Sequence, residues 1–393
     1  MLNTPFSPWP SFTEEEAEAV KRVLLSNKVN YWTGQECREF EKEFAAWCHT
    51  EHAIALANGT VALDLALKAL NIGPGDDVIV TPRTFLASAS SIVNAGARPI
   101  FADVDLDSQN ITAESIRDVL TPNTRAVICV HLAGWPCDMD PIMALAEEKG
   151  FFVIEDCAQA HGAKYKGRPV GGIGHIGAWS FCQDKIMTTG GEGGMVTTND
   201  RALWSKMWAY KDHGKSWEAV YERQHPPGFR WVHDSFGTNW RMIEIQAAIG
   251  RIQLRKIADW TQKRQANSAQ INKAASRYGC IRLPSVPDHI SHAAYKHYVF
   301  IKPDQLIEGW TRDRIVHSIV EMGVPCYQGS CSEVYLERAF DGTNYRPAQR
   351  LPNARELGET SLMFLVHPTL TASELAVTID ALSKTLSKAA RPT

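Results

Sequence analysis

Phe151-Phe152-Val153-Ile154-Glu155-Asp156 is the stretch on which the fold turns. Its apolar residues run on without polar alternation, as in a strand covered on both faces, and Asp156 closes it. The same character holds on either side of it. Residues 126–131 contain Ala-Val-Ile-Cys-Val and residues 77–81 contain Val-Ile-Val. Further strands are expected at 53–57, 98–104, 178–182 and 195–198. Helices are expected at 60–70, 85–95, 113–119 and 141–149. Strand and helix in alternation indicate an α/β fold, with a mostly parallel sheet buried between helices. Ahead of it, Thr13-Glu14-Glu15-Glu16 reads as a capping box that opens a first helix.

The rhythm changes after about residue 200. Residues 216–234, rich in Trp, His, Arg and Pro, read as a long loop. A helical pattern over 241–277 is long enough to bridge two domains. A strand at 298–301 and helices at 311–322 and 372–386 then suit a smaller α+β domain. Length agrees, since 393 residues exceed one compact core. The expected division is a large domain over 1–250 and a small C-terminal domain over 251–393.

Hydrophobic residues make up 44% and charged residues 22%, as in a globular protein, and a formal net charge of −3 speaks against nucleic acid or an anionic membrane as partner. No run approaches the roughly 18 apolar residues of a membrane span. The opening Met-Leu-Asn-Thr-Pro-Phe-Ser-Pro-Trp-Pro has no basic segment leading into an apolar one, so no secretory signal is expected. Nine cysteines without a C-x-x-C pair point to the reduced cytoplasm. Cys326 and Cys331 lie close in sequence, but two thiols do not complete a zinc site, and no metal is expected.

Three segments carry chemistry. Asn58-Gly59-Thr60 stands at a strand-to-helix turn, where bare amides, a glycine and a hydroxyl suit a phosphate. Asp156 lies at the carboxyl end of a parallel strand, where ligands of open sheets bind, and can pair with a protonated ring nitrogen. Gln159 and His161 follow closely enough to line the same pocket. Lys185 lies between two strands, after Ser180-Phe181-Cys182-Gln183-Asp184 and before Thr188-Thr189-Gly190-Gly191-Glu192-Gly193-Gly194. A lysine so held can form a Schiff base and, once freed, move protons. Gly172-Ile173-Gly174-His175-Ile176-Gly177 matches G-x-G-x-x-G, but it leads into a strand rather than a helix, so it is read as chance.

These motifs, with His131-Leu132, Glu155 to Gly162 and the run Gly237-Thr238-Asn239-Trp240-Arg241-Met242, resemble the DegT/DnrJ/StrS family of sugar aminotransferases over essentially the whole chain. The resemblance implies the aspartate-aminotransferase architecture, fold type I, and pyridoxal 5′-phosphate as cofactor. Lys185 would hold the cofactor covalently and Asp156 would pair with its pyridine nitrogen. Gln159 would lie near its phenolic oxygen, and Phe85, in Pro82-Arg83-Thr84-Phe85, would stack on the ring. Gly59, Thr60 and Ser180 would hold the phosphate, with Asn239 reaching the cofactor of a second subunit in a homodimer. Because Lys185 is present where dehydrating relatives carry histidine, transamination is favoured, with glutamate as donor. A non-catalytic, cofactor-binding regulatory protein is the rival of another class.

The acceptor is read from two departures. Gly329-Ser330-Cys331-Ser332-Glu333, after Tyr327, resembles aminotransferases that make 8-amino-3,8-dideoxy-octulosonate for lipopolysaccharide. The expected acceptor is then the C8 aldehyde of 3-deoxy-octulosonate, with Arg223 and Arg230 of the long loop pairing with its carboxylate. Tyr327, Ser330 and His161 complete the expected substrate contacts. The alternative acceptor is a nucleotide-linked keto-hexose or keto-hexosamine.

Overall fold

The computed structural model describes residues 6–392. Seven strands form the main sheet in the spatial order His52–Leu56, Gly194–Thr198, Ile176–Ser180, Phe152–Asp156, Thr124–Val130, Asp77–Val80, Arg98–Phe101. Six run in one direction; Gly194–Thr198 is antiparallel to both of its neighbours. The apolar runs are central because both of their faces are covered. Val78, Val80, Ile128 and Ile154 join the cluster that contains Leu63 and Leu67 of the helix Gly59–Ala69. Ile79, Val127, Cys129 and Val153 join another with Ile142 and Leu145 of the helix Met139–Lys149. Successive residues alternate between the two layers, as a pleated strand requires.

A four-stranded antiparallel sheet follows, in the order Ile281–Arg282, His297–Ile301, Ser361–Phe364, Cys326–Tyr327. Residues of the helices Arg312–Glu321 and Ala372–Ala389 pack in its core, with Ile315, Ile319, Leu375 and Leu382 beside Val299 and Phe364. The helix Glu244–Ala275 joins the two bodies: Leu254 and Ile257 pack with Phe40 and Phe44, whereas Ile271 and Ala275 belong to the small-sheet core. Its 32 residues span about 48 Å. The first described residues also lie with the small sheet, since Phe6 packs on its core and Ser7 Oγ donates to Glu374 Oε1 at 3.0 Å.

Some local expectations shift. The strand expected over 98–104 stops at Phe101, and the helix expected from 85 starts at Ala87, leaving Phe85 outside it. The segment 216–234 holds a short helix, Trp217–Tyr221, because Ser216 Oγ caps it at Ala219 N (3.2 Å) and Trp217 packs against Trp204 and Trp208. No helix among the described residues is long and apolar enough to cross a membrane.

The G-x-G-x-x-G segment has a structural use. Glu155, fully buried, accepts from the amides of Gly171, Ile173 and Gly174 at 2.9, 2.8 and 2.7 Å, so the anion in this nest is the protein's own carboxylate. His131 Nδ1 accepts from Cys137 N at 3.0 Å, which leaves Nε2 to donate to Glu155 Oε2, also at 3.0 Å. Burial pushes the Glu155 carboxyl up, but the His131 hydrogen bond and the amides outweigh it and hold it below the usual carboxylate range. Such a group stabilises the fold fully above its unfolded pKa and loses that contribution as pH falls through its lowered folded value. Glu155→Gln is therefore expected to destabilise by about 3 kcal/mol at neutral pH. Its melting temperature should also fall less steeply than the wild type's as the pH is lowered below 4.5, the carboxyl's ordinary value. Parallel melting curves for the two proteins across that range would contradict this role.

Candidate functional site

The carboxyl ends of the parallel strands open into a cavity of about 720 Å³. Of the residues expected from the sequence, Gly59, Thr60, Phe85, Asp156, Gln159, Ser180, Lys185 and Ser330 line it. All but Ser330 come from segments at the carboxyl ends of strands of the main sheet, which brings positions over a hundred residues apart onto one wall, and Ser330 follows the strand Cys326–Tyr327 of the small sheet.

Asp156 is buried at this wall. Its Oδ2 accepts from Ser88 Oγ at 2.8 Å and its Oδ1 from Ala158 N at 3.1 Å, while Thr84 Oγ1 lies 2.8 Å from Ser88 Oγ. Burial nevertheless pushes its carboxyl pKa up, although Ser88, Ala158 and Lys185 pull the other way. A desolvated carboxylate of this kind fits a cationic ring nitrogen, which would supply the missing counter-charge. Gln159 Oε1 is fixed by Ala133 N at 2.8 Å.

Across the cavity, Asn58 caps the helix Gly59–Ala69 by accepting from Val61 N at 3.0 Å, which turns the first helical amides toward the opening. A Cβ on Gly59 would come within 2.5 Å of Ser180 Cβ. Glycine is thus required by the close approach of this turn to Ser180, in the cradle expected for phosphate.

Lys185 lies in the loop between Ile176–Ser180 and Gly194–Thr198, with its carbonyl taken by Trp9 Nε1 at 2.8 Å. Its Nζ stands 5.4 Å from the centre of the Tyr295 ring. The Tyr295 hydroxyl donates to Asp184 Oδ2 at 2.5 Å.

The structure separates the remaining expected residues. His161 is off the cavity wall and fully buried, its ring 5.2 Å from Trp179 and 5.6 Å from Phe181. Burial lowers its pKa to about 3, so it stays neutral. Closeness in sequence to Asp156 misled here, because the turn sends the side chain under the sheet. Arg223 pairs with Asp234 at 2.7 Å, and Arg230 donates to the Val220 carbonyl at 2.6 Å; neither lines the cavity. Asn239 is exposed and also outside it. Tyr327 lines a second, adjoining cavity.

Ser88, Thr84, Asp184, Tyr295 and Lys296 line the cavity without having been expected. Ser88 had a signal, standing just beyond the end of the strand Asp77–Val80 in the first turn of a helix. Tyr295 and Lys296 had none, since only the packing of the small sheet brings them there.

Paired this way, the strand-end carboxylate and the glycine cradle fit pyridoxal phosphate. The chain belongs to the DegT/DnrJ/EryC1/StrS aminotransferase family, which matches residues 10–383. It is a pyridoxal-phosphate-dependent sugar aminotransferase of fold type I. The GDP-perosamine synthase of Escherichia coli O157:H7 is 43% identical over 260 residues, 65% of this chain and 67% of that protein. The dTDP-3-amino-3,4,6-trideoxy-alpha-D-glucose transaminase of Streptomyces venezuelae is 33% identical over 368 residues, 93% of this chain and 91% of that protein. Among solved structures, the aminotransferase from Psychrobacter cryohalolentis is 63% identical with a TM-score of 0.96, covering 98% of this chain and 99% of its own.

Proposed function

We propose that this chain transfers an amino group from an amino-acid donor, glutamate by family resemblance, to the carbonyl of a keto sugar carried on a nucleotide. The similarity to the GDP-perosamine synthase and to the dTDP-amino-sugar transaminase carries this reading. It takes precedence over the eight-carbon sugar acid because Arg223 and Arg230, the expected partners of that acid's carboxylate, are engaged elsewhere. The sugar acid keeps one observation of its own: Gly329 and Ser330, from the run behind that resemblance, line the cavity.

When bound, pyridoxal phosphate supplies the electron sink that lets a carbon beside nitrogen give up its proton. The chain does the rest. Gly59, Thr60 and Ser180 would hold the phosphate, and Asp156, fixed by Ser88, would keep the ring nitrogen protonated. Phe85 would cover the ring and Gln159 would sit beside its oxygen. The Lys185 amine takes the proton from the donor's α-carbon, and in the return half-reaction delivers one to the sugar carbon that receives nitrogen.

A homodimer belongs to the same proposal. Phe229, Trp231 and Phe236 are 75%, 79% and 100% exposed, and Phe85 is 71% exposed at the cavity. Apolar groups this exposed suit burial against a second copy, and Asn239 lies close after them in the same segment.

The test is a single-turnover experiment on the cofactor-loaded protein. After glutamate has converted it to the aminated form, nucleotide-linked keto sugars should restore the starting absorbance and the octulosonate aldehyde should not. The reverse result would transfer the assignment to the sugar acid.

A further inference from the structure

Asp184, Tyr295, Lys296, Gly329 and Met363 line both the main cavity and a second one of about 520 Å³. The rest of the second wall includes Phe6 to Trp9, Arg264, Tyr327 and His367. Arg264 comes from the long helix Glu244–Ala275 and is 1% exposed. Its Nη1 donates to the Tyr295 carbonyl at 3.1 Å, and its guanidinium lies 4.9 Å from the centre of the Trp9 ring. Its Nε and Nη2 are buried and have no hydrogen-bond partner among the described residues. No described carboxylate forms an ion pair with it, although a guanidinium this buried is costly to leave unmatched.

The identity of the free donors is informative. Nε and one Nη form the side-on pair of parallel N–H bonds that a carboxylate accepts bidentately. Lys296, half-buried beside them, is shared by both cavities and makes no ion pair among the described residues. Burial lowers the Arg264 pKa to about 9 and that of Lys296 to about 8, with Asp184 pulling only Lys296 the other way. Asp184 is the carboxylate on the shared wall, and it is already held by the Tyr295 hydroxyl. His367 is kept neutral, its pKa lowered to about 3 by burial, and its Nδ1 faces Thr369 Oγ1 at 2.9 Å.

We infer that Arg264, with Lys296 at the shared wall, binds a carboxylate of the amino-acid donor. The inference deepens the proposed function and rests on it. A nucleotide-linked keto sugar need carry no carboxylate, whereas an amino-acid donor always does, and its reacting carbon must come to Lys185 in the adjoining cavity. An acidic sugar is the other source of a carboxylate, and half-reactions separate the two.

The probe is glutarate, a dicarboxylate with neither an amino nor a keto group, titrated calorimetrically into the cofactor-loaded protein. Arg264→Met should weaken its binding about 100-fold. The glutamate concentration that half-saturates the donor half-reaction should rise by the same factor, with the acceptor half-reaction unchanged. If Arg264→Met does not retain the cofactor absorbance, Lys296→Met carries the test, with weakening of about tenfold. Unchanged glutarate and glutamate binding would overturn the inference, as would a loss confined to the acceptor half-reaction. A wild type that binds glutarate through Arg264 but accepts nitrogen from no amino acid would overturn the aminotransferase reading and the donor assignment with it.

Discussion

Lys185→Ala is expected to fold, to bind the cofactor without a covalent link, and to turn over at least about 10⁴-fold more slowly than wild type. The fold part of the expectation follows from the environment. The loop is held by its backbone, through Trp9 Nε1 on the Lys185 carbonyl and the Lys185 amide on Cys182 O at 3.1 Å, and these contacts survive truncation of the side chain. The loss of rate follows from geometry and role. In the proposed mechanism the amine carries the proton in both half-reactions, and the other lysine on the wall, Lys296, leads into the strand His297–Ile301 of the small sheet. Measured single-turnover rates with glutamate check this directly. A variant within tenfold of wild type would mean that another group moves the proton.

Asp156→Asn is expected to reduce turnover about 10³-fold while leaving stability nearly intact. The amide keeps the shape of the carboxyl and can still accept from Ser88 Oγ, but it cannot offset a positive ring nitrogen. Burial pushes the carboxyl pKa up in the free protein, and a cationic ring nitrogen beside Asp156 favours its ionised form. The readout that separates this from a structural defect is a pH titration of the bound cofactor's absorbance. In the Asn variant the ring nitrogen should lose its proton at lower pH than in wild type. Equal titrations in the two proteins would remove Asp156 from its role even if the rate fell.

The sheet was legible because its strands are apolar runs bounded by turn residues, a signal that depends on burial of both faces and survives without tertiary context. Lys185, Asp156 and Asn58-Gly59-Thr60 were legible for a related reason, as polar exceptions at the ends of such runs. Arg264 was not. It lies in a helix whose pattern shows polar residues on most turns, and its burial arises only when the Trp9 segment and the small sheet close over it. His161, Arg223 and Arg230 show the opposite failure. Their residue types suit substrate contacts, but local neighbours claim them: Trp179 and Phe181 for His161, Asp234 for Arg223 and a helix carbonyl for Arg230. Spacing along the chain does not reveal which side of a turn a side chain takes.

In the proposed function the cavity at the strand ends is the aminotransferase site and Lys185 is its amine. Borohydride reduction of the cofactor-loaded protein, followed by digestion and mass mapping, tests it most directly by fixing the cofactor to the lysine that holds it. The modification is expected on the peptide containing Lys185. Modification of Lys296 instead, or of a lysine outside the cavity, would contradict the account.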